Sequence, residues 1–203
     1  MGELNTFPVS YKVKGKRIVI VGGGEEALNK ARLAIMTTAS VVIISEAISS
    51  KELYEVGAEI VGRFETSVLD DTALVFVAET GILAEQVKAE ARSRGIPVNV
   101  VDVPGECDFY TPSIIDRAPL TVAISTEGDA PVLARLVRAK IEALLSPDLG
   151  RVARLAGSLR ERVADALGKV QAKRFYEDLV TGVGEPEVLL EAHAGEAAGE
   201  VWL

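Results

Sequence analysis

An unbroken apolar run, RIVIV at residues 17–21, passes directly into Gly22-Gly23-Gly24. The stretch that follows, 25–36, sets Ala27, Ala31, Ala34 and Ile35 near one helical face. Strand, tight turn and helix in that order commit the chain to opening a parallel α/β layer, because only a helical crossover returns it to a second parallel strand. Gly22 to Ala27 fits the spacing G-x-G-x-x-A. The first glycine permits the turn, the second admits a pyrophosphate to the backbone, and the alanine lets helix pack on strand. Free N–H groups at the helix start then face the anion. The pattern alone also describes an ordinary α/β turn. Its place in the first βα unit is what points to a dinucleotide.

The alternation continues for the first hundred residues. Strands are expected at 41–45, 59–61, 73–78 and 97–101, with helices at 47–56 and 82–94, the last stopped by Gly95. At the end of the second strand stands Glu46, about 20 residues beyond the glycines, where a carboxylate holds the adenosine ribose hydroxyls. No arginine adjoins it in sequence, which favours NAD over NADP. An acid opening the next helix is the equal alternative. The expected cofactor-binding set is Gly22, Gly23, Gly24, Glu25, Glu26, Ser45, Glu46 and Thr80.

Asp102 closes the fifth strand at its carboxyl end, where open α/β sheets place ligands. The position suits a base and equally suits a turn aspartate. Pro- and Gly-bearing sequence, VPGECDFYTP, follows as the exit from the first domain. Beyond it a strand at 120–125 and helices at 132–145, about 147–167 and 169–180 are expected. The tail after Gly182 carries five glutamates and no Lys or Arg, and reads as loose or weakly docked. The boundaries expected are 1–112 for a Rossmann-like domain, 113–146 for a small α+β region, 147–182 for a helical part and 183–203 for an acidic tail.

The chain has one cysteine, Cys107, and one histidine, His193, so neither an internal disulfide nor a Cys/His zinc site can form. No apolar run approaches the ~18 residues of a membrane span, and no secretory leader pattern opens the sequence. A cytoplasmic, reducing setting fits. The formal charge of −8 argues against nucleic acid. Residues 132–174 nonetheless hold ten Lys/Arg and four acids, a local +6 that leaves −14 elsewhere. Solvated helix faces and a positive wall for a polyanion both account for that split.

The segment 99–145, NVVDVPGECDFYTPSIIDRAPLTVAISTEGDAPVLARLVRAKIEALL, closely resembles the precorrin-2 dehydrogenase/sirohydrochlorin ferrochelatase family, the N-terminal module of siroheme synthases. It keeps N-V-V-D, C-D-F, P-S-I-I-D-R, L-T-V-A-I-S-T and L-A-R in order. The glycine triplet with Lys30-Ala31 and the later LAGSLRERV extend the likeness over about 7–180. The resemblance implies the stand-alone form, acting as a homodimer that pairs through the middle region. It implies oxidation of precorrin-2 to sirohydrochlorin with NAD, and in bifunctional members insertion of ferrous iron as a second substrate. Asp102 matches the family's catalytic aspartate.

A substrate with eight carboxylates calls for cations and N–H donors. Arg117, Arg135, Ser125 and Thr126 are the expected substrate contacts, against the alternatives of surface ion pairing and N-capping. Cys107 reads as packing and His193 as no ligand, so any iron is held by the tetrapyrrole nitrogens. Glu26, Asn29 and Glu127 depart from the family pattern at predicted ligand loops. Two rivals therefore stand beside the dehydrogenase: a ferrochelatase with a degenerate NAD site, and a nucleotide-sensing domain without enzymatic activity.

Overall fold

The computed structural model describes residues 3–182, 184 and 186–199. Five parallel strands, β1 (Arg17–Val21), β2 (Ser40–Ile44), β3 (Glu59–Val61), β4 (Thr72–Val77) and β5 (Val98–Val100), form one sheet in the order β3-β2-β1-β4-β5. The order reverses at β1, which makes the carboxyl ends of β1 and β4 the place where the chain parts to either side. The strands are apolar without interruption because both faces are covered. Val19, Val21, Val42, Ile44, Val75 and Val77 pack on one face with Ala84, Val87 and Ala91 of α2 (Ile82–Ser93). Ile18, Ile20, Val41, Ile43 and Phe76 pack on the other with Ala27, Leu28, Ala31 and Ala34 of α1 (Glu25–Ala34). The strand period of two thus divides the residues between two cores, and burying each of these aliphatic side chains stabilises the layer by ~1.5–3 kcal/mol.

The Rossmann-like sheet expected from the sequence is therefore present, with one difference at 47–56. Only a short 3-10 turn, Lys51–Tyr54, forms there. The amides of Ser49 and Ser50 both donate to the Gly23 carbonyl, at 2.9 and 3.0 Å, which holds the chain open after β2 and leaves too few residues for a helix. Leu53 alone anchors the turn in the core.

The chain divides into two compact units, the first comprising 1–111 and 127–129, the second 112–126 and 130–203. In the second, β6 (Ser113–Arg117) and β7 (Leu120–Ile124) form an antiparallel hairpin through Ala118-Pro119, whose peptide bond is cis. Only β7 of this pair was expected from the sequence, because prolines flank the short apolar run of β6 on both sides. Helix α3 (Pro131–Glu142) packs against the hairpin with Ala134 buried.

The helix expected over 147–167 is two, α4 (Leu149–Ser158) and α5 (Arg160–Ala166). At the break, Gly157 weakens the helix and the Ser158 hydroxyl donates back to the Leu155 carbonyl at 2.8 Å. Helix α6 (Lys169–Thr181) ends at left-handed Gly182.

The tail differs most from expectation. Residues Pro186–Gly199 form α7, with Leu189 and His193 buried among Leu159, Val163, Leu167, Phe175 and Leu179. The terminal Val-Trp-Leu lies outside the described residues. Acidic composition hid this helix because its docking rests on few positions, of which His193 contributes a 2.9 Å hydrogen bond between Nε2 and Asp178 Oδ2.

Gly150, at the start of α4, lies so close to the hairpin that a Cβ there meets the carbonyl oxygens of Arg117 and Ala118 at 2.4 Å. Gly150→Ala is expected to destabilise the second unit by about 2 kcal/mol, since neither partner is a movable side chain. Urea unfolding monitored by hydrogen exchange checks this, with amide protection of the first unit unchanged.

Candidate functional site

The glycine turn is locked from three sides. Gly22 takes φ 130°, a value L side chains rarely adopt, and its N–H donates to the Ile44 carbonyl at 2.9 Å. Gly23 approaches the β2 exit so closely that a Cβ would stand 2.0 Å from the Ala47 carbonyl oxygen and 2.7 Å from Ser45 Oγ. Gly24 caps α1 in extended conformation, and exposed Glu25 and Glu26 fill the first helical turn, where carboxylates suit the dipole.

An open cleft of ≈ 770 Å³ lies at the carboxyl ends of β2, β3 and β4. Ser45, Glu46 and Thr80 line it, as do Arg63, Phe64 and Glu79. Ser45 is buried and its hydroxyl donates to the Ala47 carbonyl at 2.8 Å, so its first task is shaping the loop. Glu46 and Thr80 are exposed at the rim. Glu79 is half-buried. Burial pushes its carboxyl above the ordinary range and nearby Glu46 adds to the rise, while a hydrogen bond from the Gly23 N–H opposes both.

Asp102 sits one turn beyond β5, exposed, with φ 60°. The segment after it is fastened back on the sheet by the residues of the C-D-F motif. Cys107 Sγ donates to the Val100 carbonyl at 3.1 Å, and Asp108 exchanges bonds with Val98, receiving from its N–H at 2.9 Å. Phe109 packs edge-on against Phe76 at 5.4 Å. Cys107 is thus a packing and hydrogen-bonding residue. Glu106 adds a clamp to α2, accepting from Lys88 at 2.6 Å with Arg92 at 3.8 Å. On the other side Lys30 of α1 stands over the Phe76 ring at 5.6 Å. Burial holds its amine below the ordinary lysine range, against the opposing fields of Glu26 and Asp102. Glu26 therefore faces a cation one helical turn away, which offsets part of its repulsion for a phosphate.

In the second unit, Arg117 lies half-buried in a cluster with Glu142 (3.5 Å), which also pairs with Arg138. Its guanidinium is committed to the hairpin and α3. Arg135 is exposed and has no ion pair among the described residues. Thr126 Oγ1 accepts from the Ala130 N–H at 3.2 Å, a capping contact ahead of α3, and Ser125 is exposed beside it. Among the described residues no group of three or more His, Cys, Asp or Glu is placed to hold a metal ion.

In the first unit, Glu127 takes φ 55° and accepts from the Thr6 N–H (2.7 Å), the Thr6 hydroxyl (2.8 Å) and Asn5 Nδ2 (3.3 Å).

Sequence reasoning assigned no role to Arg63, Glu79 or Lys30. Arg63 reaches the cleft because β2 and β3 pair in parallel with Ile44 beside Val61, so the β2 and β3 exits end together. Its absence from the immediate sequence of Glu46 did not mean absence from the site. A cation just past the third strand was the available signal.

The family model described as “Putative NAD(P)-binding” matches residues 9–113, and a second, “Sirohaem biosynthesis protein central”, matches 117–144. The siroheme synthase of Ectopseudomonas mendocina (strain ymp) is 40% identical over 97% of this chain and 46% of its own length. That of Photorhabdus laumondii subsp. laumondii is 42% identical over 88% of this chain and 39% of its own. The chain spans less than half the length of these relatives. A solved structure, “SirC, precorrin-2 dehydrogenase”, shares the fold with a TM-score of 0.74 at 14% identity, covering 93% of this chain and 98% of that one. The resemblance read from residues 99–145 is borne out by these matches.

The Lys88–Glu106 pair holds the Glu106 carboxyl below its ordinary value, the hydrogen bond from Lys88 being the largest cause. A depressed acid contributes stability above its unfolded pKa and loses it as pH falls through the folded one. Glu106→Gln is therefore expected to lower stability at neutral pH and to flatten the fall on acidification below pH ~4. Thermal melts from neutral to acidic pH check this.

Proposed function

The chain belongs to the NAD(P)-binding family whose model covers residues 9–113, and from that premise we propose that it oxidises precorrin-2 to sirohydrochlorin with NAD in siroheme biosynthesis. The observation that carries the reading is the coincidence, in one unit, of the glycine turn with its cleft and of Asp102 at the carboxyl end of the next strand but one along the sheet. The matched central segment at 117–144 and the siroheme synthase relatives support the substrate class.

The cleft fits a dinucleotide. Gly22, Gly23 and Gly24 leave no side chain between the backbone and a pyrophosphate, with Glu25 and Glu26 at the helix start and Thr80 at the rim. Ser45 shapes the ribose end, and Glu46 accepts from ribose hydroxyls. Glu46 and Arg63 together are the pair on which the choice between NAD and NADP turns. When bound, NAD supplies the hydride acceptor. Asp102 removes the accompanying proton, its exposed carboxylate carried on a left-handed turn that the Cys107, Asp108 and Glu106 contacts hold. Lys30 places positive charge near that carboxylate. Exposed Arg135 and the Ser125-Thr126 turn are proposed to receive substrate carboxylates, while Arg117 supports them by fixing the hairpin on α3.

Ferrous iron enters this scheme as a second substrate, with Asp102 accepting a pyrrole N–H proton as the metal is inserted. One observation favours the chelatase as sole activity: the Glu79 carboxylate, 3.4 Å from the position a Cβ of Gly22 would have, crowds the seat expected for a pyrophosphate. We further propose a homodimer formed through α3, on which Val132, Leu133 and Leu136 are each more than half exposed. No helix among the described residues is long and apolar enough to cross a membrane, and a cytoplasmic location accords with the proposed reaction.

Anaerobic incubation with precorrin-2 and NAD, without metal, tests the reading through NADH and sirohydrochlorin absorbance. The wild-type chain is expected to form both in equal amounts, and Asp102→Ala to lower kcat by ~100-fold or more with nucleotide affinity unchanged. Iron insertion into supplied sirohydrochlorin by a chain that makes no NADH selects the chelatase reading.

A further inference from the structure

Gly23 is buried, and it lies past the end of the β1 ladders to both neighbouring strands, whose registers stop at Val21. A buried donor left without a partner is costly, so an empty glycine turn needs an acceptor. Glu79, just past β4, is placed to answer it: its Oε2 lies 3.4 Å from the position a Cβ of Gly22 would have, and the Gly23 amide draws its carboxyl pKa down against the effect of burial. The same side chain lines the cleft. One carboxylate therefore stands against the first glycine of the turn that makes room for a pyrophosphate.

We propose that Glu79 is an internal occupant of the phosphate seat, which a diphosphate nucleotide must displace, and that it thereby sets the affinity and pH dependence of nucleotide binding. This rests on the dinucleotide reading of the cleft. The charged groups facing Glu79 there are Glu46, from the β2 exit, and Arg63, from beyond β3. Glu46 is a second carboxylate that disfavours ionisation of Glu79, and Arg63 is a cation that favours an anion of either origin. A phosphate entering the seat meets the Glu79 charge directly. Protonation of Glu79 removes that repulsion and frees the side chain to leave, so binding is expected to tighten as pH falls. The adenosine end of the cleft makes no such demand.

The test is calorimetric titration of the full chain and of Glu79→Gln and Glu79→Ala with ADP, NAD and adenosine, the NAD series repeated from pH 6 to pH 8. Both variants are expected to bind ADP and NAD about tenfold more tightly than wild type at pH 8 and adenosine within about twofold of it. Wild-type affinity for NAD rises as pH falls, and that of Glu79→Gln rises less. A wild type too weak to measure beside a variant that binds also supports the proposal. Wild type that binds ADP, with variants unchanged or weaker and the same pH profile, overturns the proposal and leaves the dinucleotide reading standing. If neither wild type nor either variant binds ADP, NAD or adenosine, the dinucleotide reading fails and the proposal with it.

Discussion

The close approach of Gly23 to the β2 exit organises the first unit. With no side chain, its backbone comes against Ala47 and Ser45, its carbonyl receives the amides of Ser49 and Ser50, and its amide draws the Glu79 carboxyl pKa down. The exits of β1, β2 and β4 are thereby stitched together at one residue. The same contact prevents a helix after β2, opens the cleft beside Glu46, and aims the start of α1 toward it. A methyl group at this position would have to displace backbone, which relaxes far less readily than the end of a flexible side chain.

A second constraint acts at Asp102. The residue is exposed and left-handed, and among the described residues no hydrogen bond or ion pair of its side chain holds it there. Its position comes from the return segment, where Cys107, Asp108 and Phe109 attach to β5 and to Phe76, and Glu106 attaches to α2. The C-D-F motif thus acts by placing its neighbour. In the second unit the same economy appears in Arg117, which joins the hairpin to α3 through Glu142, while Arg135 stays open to solvent.

The parallel sheet was legible because strands covered on both faces are apolar runs, and because the glycine triplet fixes the first turn. What escaped depended on contacts distant in sequence. The amides of Ser49 and Ser50 turn 47–56 away from a helix only because Gly23 is near. Strand β6 is short and framed by prolines, so its pairing with β7 is its only regular signature. The helix of the tail is acidic outside and earns its place through Leu189 and His193. At the site, Glu46 and Asp102 announce themselves by standing at strand ends. Arg63, Glu79 and Lys30 become relevant through sheet order, which brings the exits of β2, β3 and β4 to one cleft and sets α1 over Phe76.

The central claim is that the cleft beside the glycine turn is where a nicotinamide dinucleotide binds. Backbone amide NMR of the labelled chain titrated with NAD tests it residue by residue. The account predicts that the amides of Gly22, Gly23 and Gly24 shift together with those of Glu46, Thr80 and Gly81, saturating with a single affinity. Saturable shifts confined to other surfaces, with the glycine turn unmoved, would contradict it.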